Sequence, residues 1–345
     1  MQVEAINEAI HEEMLKDESV YYMGEDVRAS IYGASKDLFN RFGENRVLDT
    51  PLSENGFIGA AVGSSLVGMR PVVETLTSFM WVAMDQLVSQ LAKMKYMFGG
   101  QASLPVTIKA DMYYNGSMAA HHSDRSYPFF MNMPGIKVIV PTFPEDAKGL
   151  MKTAIRDNDP CIVFVDGNLG GLKGDVPENN EIENGELLIP FGSARVVKEG
   201  TDCTVVGIVN SNVHALSASE KLEKEGISIE IIDPRTLVPF DKETILKSVE
   251  KTGRLVVVDP AHKVCSAASE IISVVTEEGF WNLQAPPVKV ASEQVHIPFS
   301  PALEPLIYPP KKKSLKLSKR HWSKKHGNKY FFTSMGNGHA GSYNN

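Results

Sequence analysis

The chain has 345 residues, of which 43% are hydrophobic and 22% are charged. These proportions are close to those of globular proteins, so they exclude a wholly disordered, collagen-like or coiled-coil chain. Because a domain ordinarily holds about 100–200 residues, the length predicts two domains.

The sequence shows no sign of a membrane segment, a secretory signal or a disulfide framework. The longest weakly polar run, residues 57–69, contains two serines and is shorter than the roughly 18–20 apolar residues of a membrane helix. The first residues are acidic and amphipathic, whereas a secretory signal begins with basic and then apolar residues. The widely spaced cysteines at 161, 203 and 265 match neither a disulfide pattern nor a CxxC metal site. We therefore expect a cytoplasmic protein without a membrane partner.

The formal net charge of -7 is distributed unevenly along the chain. Residues 311–345 contain eight lysines and one arginine but no acidic residue, and they lack a sustained apolar period. This composition predicts a disordered basic tail, because too little apolar surface is available to offset the entropy of ordering. No nucleic-acid-binding motif accompanies the basic residues, so we do not expect nucleic acid as a partner.

Hydrophobic periodicity predicts alternating helices and strands in the first half of the chain. A helix over about residues 5–14 precedes a strand at 20–24. The further predicted strands are 46–49, 72–76, 105–110, 136–141 and 161–166, and the further predicted helices are 55–69, 81–97 and 145–156. Because helices rather than tight hairpins separate the strands, we expect βαβ crossovers and a mostly parallel sheet.

A second alternation follows residues 167–188, whose Gly, Asn, Glu and Pro content is typical of a linker. Its predicted strands are 203–209, 227–233, 254–259 and 288–292, and its predicted helices are 213–224, 243–251 and 266–276. The sequence therefore predicts two consecutive α/β domains, over residues 1–185 and 186–310, followed by the basic tail at 311–345.

The common catalytic and nucleotide-binding motifs are missing from the sequence. It contains no GxGxxG, Walker loop, HExxH or GxSxG segment. Polar groups instead follow predicted strands, at the edge where open α/β sheets bind ligands. These groups lie at residues 24–26, 53–56, 77–79 and 121–124.

Taken singly, these residues also fit structural roles. Glu54 stands in the first turn of a predicted helix, where the helix dipole favours a carboxylate by about 0.3–1 kcal/mol without any catalytic function. Phe79 fits a core position, and His121 and His122 fit a solvated polar loop. Tandem histidines also ligate metals, but no companion ligand stands at a typical spacing.

Several longer segments carry a resemblance to a known family. They include TPLSENGFIGAAVGSSLVGMRPVVE, MDQLVSQLAKMKYMFGGQ and PGIKVIVPTFPEDAKGLMKTAIRDNDP in the first half, and LEKEGISIEIIDPRTLVPFDKETILKSVEKTGRLVVV in the second. In order and nearly without gaps over residues 3–309, the chain resembles the β subunit of thiamine-diphosphate-dependent 2-oxo acid dehydrogenases of the pyruvate and acetoin type. The resemblance implies a transketolase-like pyrimidine-binding domain followed by a transketolase C-terminal domain.

The resemblance also implies roles for individual residues. Glu54 matches the glutamate that hydrogen-bonds the aminopyrimidine ring of the cofactor and so assists removal of the thiazolium proton. Phe79 matches an aromatic residue that packs on the pyrimidine, and Glu25 is expected to bind the cofactor with them. His122 matches a histidine that faces the reacting carbon and transfers protons.

Further implications of the resemblance concern ions and partners. Members of the family hold a monovalent cation such as K+ near the AIRDNDP turn, where the Ala154 carbonyl and the side chains of Asp157 and Asp159 are the expected ligands. An α-type subunit contributes most of the diphosphate and Mg2+ site, which predicts an α2β2 tetramer. The expected acyl acceptor is a lipoyl arm on a dihydrolipoyl acyltransferase, or an acyl carrier protein.

Two alternatives stand beside acyl transfer from a 2-oxo acid. The glycine-rich stretch that usually precedes the histidine reads ADMYYNGSMAAH, and this substituted loop at 111–121 favours transketolase-like two-carbon transfer from a ketose to a carrier protein. Asn132 replaces a second histidine, which changes the expected substrate geometry. The usual TGGFGAE reads AHKVCSAASE from residue 261, which favours a catalytically silent assembly partner. Retention of Glu54 and His122 counts against a silent partner.

Overall fold

The computed structural model describes residues 1–177 and 185–309. Within these ranges, helices cover two sheets. The helices are α1 (Gln2–Lys16), α2 (Leu38–Phe42), α3 (Glu54–Ser65), α4 (Met94–Met97), α5 (Tyr127–Met131), α6 (Pro144–Arg156), α7 (Ser211–Glu223), α8 (Lys242–Thr252) and α9 (Ala267–Glu278). The strands are β1 (Val20–Gly24), β2 (Val47–Asp49), β3 (Arg70–Leu76), β4 (Thr107–Met112), β5 (Lys137–Ile139), β6 (Cys161–Asp166), β7 (Arg195–Lys198), β8 (Cys203–Gly207), β9 (Ile229–Asp233), β10 (Thr236–Val238), β11 (Leu255–His262) and β12 (Val288–Ser292).

The first sheet has the strand order β10-β5-β6-β4-β3-β1-β2. Strands β1 to β6 are mutually parallel, as the helical crossovers predict. The edge strand β10 is antiparallel to β5, with Thr236 opposite Ile139. Since β10 comes from the second half of the sequence, both halves of the chain contribute to this sheet.

The second sheet has the order β12-β11-β8-β9-β7. Its strands β8, β9, β11 and β12 are parallel, and β7 is an antiparallel edge strand beside β9. The predicted α/β class, with two successive and mainly parallel units, is therefore confirmed. The antiparallel edge strands β7 and β10 were not predicted, because each is short and lacks the long apolar run of a central strand.

The core has one layer on each face of the first sheet. On one face α1 and α6 bury Ile6 and Leu150 against the sheet. On the other face Ile58 of α3 belongs to a larger cluster that continues to Val257 and Ile271 of the second unit. The two units therefore share this second cluster, which packs them against each other.

Two predicted helices differ from the observed ones. The helix predicted over 81–97 is wrong as a continuous element, because the chain forms a 3-10 turn at Phe79–Ala83, a π-helical turn at Asp85–Leu91 and then α4. The chain leaves regular helix where the Ala92 carbonyl lies against Gly135, so close that a Cβ on Gly135 would be 2.1 Å from this oxygen. The helix predicted over 55–69 ends at Ser65. There the hydroxyls of Ser64 and Ser65 donate hydrogen bonds to the backbone carbonyls three residues earlier and so compete with the helical hydrogen bonds.

The predicted tail at 311–345 lies outside the described residues, as does part of the predicted linker, residues 178–184. Among the helices of the two described ranges, none is both long and apolar enough to span a bilayer.

Candidate functional site

The predicted site residues follow four neighbouring strands of the first sheet. Strands β2, β1, β3 and β4 are adjacent and parallel, so their carboxyl ends meet at one edge. Glu25 directly follows β1, Glu54 is the first residue of α3 after β2, Phe79 follows β3, and His122 lies in the loop after β4. This edge is where open parallel sheets ordinarily bind ligands.

Two carboxylates, those of Glu25 and Glu54, interact at this edge. Just before Glu25, the backbone of Gly24 lies very close to that of Glu74. A Cβ on Gly24 would be 2.4 Å from the Glu74 carbonyl oxygen. Burial, the negative charge of Glu54 and that of Asp26 raise the pKa of Glu25 to about 7. The Oε1 atom of Glu25 is buried and has no hydrogen-bond partner among the described residues. A bound group that donates a hydrogen bond here would therefore satisfy this buried oxygen.

Glu54 begins α3 in a half-buried position. The Ser53 hydroxyl, which precedes it, donates to the side-chain oxygen of Asn55 at 2.9 Å and does not cap the helix backbone. A carboxylate that only complements the helix dipole has no need of a second carboxylate near it. Glu54 thus stands at the start of α3 with the charge of a second carboxylate, that of Glu25, close to it.

Phe79 and His122 are in direct contact. Their rings are half-buried and meet edge to face, with centroids 5.1 Å apart and an interplanar angle of 72°. Two hydrogen bonds tie the loops that carry them: the Asp124 backbone N–H donates to Ser78 Oγ at 3.2 Å, and Trp81 Nε1 donates to Asp124 Oδ2 at 2.7 Å. The neighbouring His121 is exposed. The structure thus brings Phe79 together with His122.

A buried charge network lies beside this edge, and sequence reasoning missed it. The Lys109 ammonium, 1% exposed, contacts the carboxylates of Glu74 at 2.6 Å and Asp111 at 2.5 Å. Tyr22 donates to Glu74 at 2.8 Å. Burial raises the pKa of Asp111 to about 7. The sequence does contain a signal for this network. Lys109 and Asp111 are two residues apart in a strand and so lie on the same face of the sheet. A charge buried on that face requires a partner of opposite charge.

Two tyrosines connect this network to the site. The Tyr32 ring centroid lies 5.9 Å from Lys109 Nζ and 5.8 Å from the Tyr113 ring. Burial and the charges of the nearby carboxylates raise the pKa of Tyr32 to about 12, and the Glu25 carboxylate contributes to this effect. Gly167 makes room for Tyr113, since a Cβ at this position would lie 2.2 Å from the ring.

The residues expected to bind a monovalent cation lie in an ion-paired turn. Lys137 Nζ is 2.5 Å from Asp157 and 3.6 Å from Asp159, and Lys95 also pairs with Asp159. The Ala154 carbonyl accepts a hydrogen bond from the Asp157 backbone N–H at 3.2 Å. Any monovalent cation at this turn would share the carboxylates with two ammonium groups. Within the described part of the chain, no cluster of three or more His, Cys, Asp or Glu residues is arranged to hold a metal.

Most of the chain matches known families and individual proteins. The family model for the transketolase pyrimidine-binding domain matches residues 2–170, and that for the transketolase C-terminal domain matches residues 192–313. The chain is 44% identical to the acetoin:2,6-dichlorophenolindophenol oxidoreductase subunit beta of Cupriavidus necator, covering 88% of this chain and 92% of the relative. It is 40% identical to the pyruvate dehydrogenase E1 component subunit beta of Rickettsia felis, with coverages of 89% and 93%.

The chain is also similar to a third relative and to one solved structure. The 2-oxoisovalerate dehydrogenase subunit beta of Bacillus subtilis is 37% identical over 88% of this chain and 92% of its own. A solved split-gene transketolase, an inactive β4 tetramer, superposes with a TM-score of 0.66 at 23% identity, covering 85% of this chain and 89% of that one. At this identity the structural likeness concerns the fold alone.

Proposed function

Because the chain belongs to the family of β subunits of thiamine-diphosphate-dependent 2-oxo acid dehydrogenases, we propose that it acts with an α-type subunit to decarboxylate a 2-oxo acid and transfer the acyl group to a carrier. The family and the transketolase-like fold that the sequence predicts are thereby confirmed. One observation carries the site assignment: the Glu25–Glu54 pair and the Phe79–His122 pair lie at the carboxyl ends of adjacent parallel strands.

The residues at this edge fit the aminopyrimidine half of thiamine diphosphate. Glu25 offers a buried oxygen without a partner, and Glu54 adds a second acceptor. Phe79 offers a half-buried apolar ring on which a flat heterocycle can pack. When bound, the cofactor supplies a carbon nucleophile that adds to the 2-oxo acid and accepts the electron pair released with carbon dioxide.

We assign to Glu54 the task of holding a proton on the pyrimidine ring. A carboxylate stabilises a protonated ring nitrogen by a charge-assisted hydrogen bond, which is about twice as strong as a neutral one. The raised pKa of Glu25, about 7, means that this neighbour holds a proton for part of the time at neutral pH. The pair therefore binds a polar ring without two full negative charges opposing each other.

We assign to His122 the transfer of a proton between an imidazole nitrogen and the reacting acyl group. Imidazole titrates near neutral pH, which suits general acid and base catalysis. Contact with the Phe79 ring holds His122 at the same edge as the carboxylates. Phe79 thus has two neighbours in the proposed site, the cofactor ring and the catalytic imidazole.

The proposed partner at this site is an α-type subunit. Large exposed apolar side chains adjoin the site residues along the chain, namely Leu52, Trp81, Val82 and Met118. We propose that these side chains contact an α-type subunit, which also provides the diphosphate and Mg2+ ligands of an α2β2 tetramer. We further propose K+ at the Ala154–Asp159 turn and a dihydrolipoyl acyltransferase or an acyl carrier protein as the acceptor.

Reconstitution tests this function. The chain is co-expressed with the α-type subunit, and carbon dioxide release and acyl transfer are measured with pyruvate, a branched-chain 2-oxo acid and a ketose phosphate. We expect release of carbon dioxide from a 2-oxo acid by the complex and none by either subunit alone. Two-carbon transfer from the ketose without carbon dioxide would favour the transketolase-like alternative. An assembled complex that binds thiamine diphosphate but acts on none of these substrates would contradict the proposal and favour a silent partner.

A further inference from the structure

The loop that carries His122 has an unusual backbone. Asn115, Ser117 and Ala119 all adopt positive φ angles, of 55°, 56° and 58°. Residues other than glycine disfavour positive φ angles, and of these three residues only Asn tolerates them comparatively well. Such a conformation persists when contacts from elsewhere in the fold hold it in place.

Glu304, from the end of the described chain, provides these contacts. Its side chain is 1% exposed and reaches the loop from the 3-10 turn at Glu304–Leu306. Oε1 accepts a hydrogen bond from the Asn115 backbone N–H at 2.6 Å, and Oε2 accepts one from the Ser117 backbone N–H at 2.8 Å. One carboxylate therefore binds two backbone donors of the strained loop by charge-assisted hydrogen bonds.

Aromatic and cationic groups fix both ends of the loop to the same segment. The Tyr308 hydroxyl donates to Glu304 Oε1 at 3.3 Å, and the Tyr308 ring lies 5.0 Å from the ring of Tyr114, at the start of the loop. Arg125, three residues after His122, places its guanidinium carbon 3.9 Å from the Tyr114 ring centroid and 4.7 Å from that of Tyr308. The loop is thus anchored before and after the histidine.

We propose that Glu304 is a positioning residue that holds the 113–122 loop in the form that places His122 against Phe79. This inference rests on the proposed catalytic role of His122. In this arrangement the second half of the chain contributes to the active site without touching the reacting atoms. Loss of the contact releases the strained backbone, and displacement of a catalytic group by about 1 Å is enough to lower a rate by roughly a hundredfold.

The first test compares Glu304→Gln with Glu293→Gln in the reconstituted complex. The glutamine keeps one acceptor oxygen but turns an amide toward the second backbone donor, whereas Glu293 is exposed and serves as the matched control. We expect Glu304→Gln to lower kcat by about 10–100-fold while KM for the 2-oxo acid changes by less than about threefold. Full activity of Glu304→Gln would overturn the proposal.

A double-mutant cycle separates positioning from general destabilisation. If Glu304 acts through His122, Glu304→Gln should lower kcat by less than about twofold when His122 is already Ala. An equal factor in both backgrounds would overturn the proposal. Full activity of His122→Ala alone would instead contradict the proposed function, and hydrogen exchange would then decide the Glu304 contact by itself.

Hydrogen exchange reports on the hydrogen bonds to Glu304 in the wild-type complex itself. The test therefore works even if the variant does not fold. The backbone amides of Asn115 and Ser117 should exchange more slowly than that of the exposed Gly116 between them. Glu304→Gln should speed the exchange of at least one of the two amides, because the glutamine keeps only one acceptor oxygen, and Glu293→Gln should leave both rates unchanged. Equally fast exchange of all three amides in the wild-type complex would overturn the proposal.

Discussion

The Tyr127 hydroxyl donates a hydrogen bond to the Asp259 carboxylate, and both side chains are fully buried where α5 of the first unit meets β11 of the second. Asp259 also accepts hydrogen bonds from the backbone amides of Ala261 at 2.8 Å and Ala268 at 3.0 Å. Burial raises the pKa of this carboxyl. One buried acid therefore joins the two units and organises the start of α9.

The loss of this tyrosine hydroxyl should destabilise the protein without removing the carboxylate's backbone donors. We expect Tyr127→Phe to lower the free energy of unfolding by about 1.5–3 kcal/mol, the range for a hydrogen bond to a charged group. Tyr96→Phe is the control, because this side chain is 90% exposed. Urea unfolding of the two variants compares them directly, and equal midpoints would show that the Tyr127–Asp259 bond contributes nothing to stability.

The buried ammonium of Lys109 should be essential to the first sheet. Lys109→Met leaves the Glu74 and Asp111 carboxylates buried without their cation, which costs about 3–5 kcal/mol for a broken buried pair. Neutralising both acids in addition, with Glu74→Gln and Asp111→Asn, should recover part of this loss. The exposed Lys36→Met is the control. A Lys109→Met variant that melts within a degree of the wild type would argue against the role of this network.

Glu25 should make stability depend on pH in a defined direction. The pKa of the Glu25 carboxyl is about 7 in the folded chain, against an ordinary value of 4.5. Between these two pH values the folded state therefore binds more protons than the unfolded state. The contribution of Glu25 to the free energy of unfolding is therefore fully present below about pH 4.5, and it is lost as the pH rises through about 7. We expect the melting temperature of Glu25→Gln to change less with pH over this window than that of the wild type. The exposed Glu44→Gln should follow the wild-type curve, and identical curves for all three proteins would contradict the assignment.

The sequence predicts the parallel sheets well, because long apolar strands alternate with amphipathic helices. It predicts Glu54 and His122 by resemblance, whereas spacing alone leaves their structural interpretations open. The contact between Phe79 and His122 depends on loops after different strands, and periodicity carries no information about such a meeting.

Long-range polar contacts account for most of what the sequence does not show. The Glu304 carboxylate meets Ser117 across 187 positions of chain, and β10 pairs with β5 from the other half of the sequence. Neither contact has a local signature, since the two partners of each contact are far apart in the sequence. Such contacts follow from the packing of the two units, which only the folded structure reveals.

His122 should matter for catalysis and little for cofactor binding. We expect His122→Ala to lower the rate of acyl transfer by about 10²–10⁴-fold, the usual contribution of a proton-transferring side chain. His121→Ala is a closely matched control, since this neighbour is exposed and lies on the same 3-10 turn. Single-turnover assays and cofactor titration separate the two effects. A larger loss for His121→Ala than for His122→Ala would assign the role to the other histidine.

The substitution Glu54→Gln tests whether Glu54 activates the cofactor. Glutamine has a similar shape, but it cannot stabilise a protonated ring nitrogen as a carboxylate does. If Glu54 only complements the dipole of α3, its replacement by Gln should lower the free energy of unfolding by at most about 1 kcal/mol. Glu243→Gln is the matched control, because Glu243 stands in the first turn of α8.

The decisive measurement is the rate of proton exchange at the thiazolium carbon of the reconstituted complex, followed by deuterium quench and NMR. We predict that Glu54→Gln removes most of this exchange while the tetramer still assembles and binds the cofactor, and that Glu243→Gln exchanges at the wild-type rate. Normal exchange in an assembled Glu54→Gln complex would show instead that the carboxylate has no part in activating the cofactor.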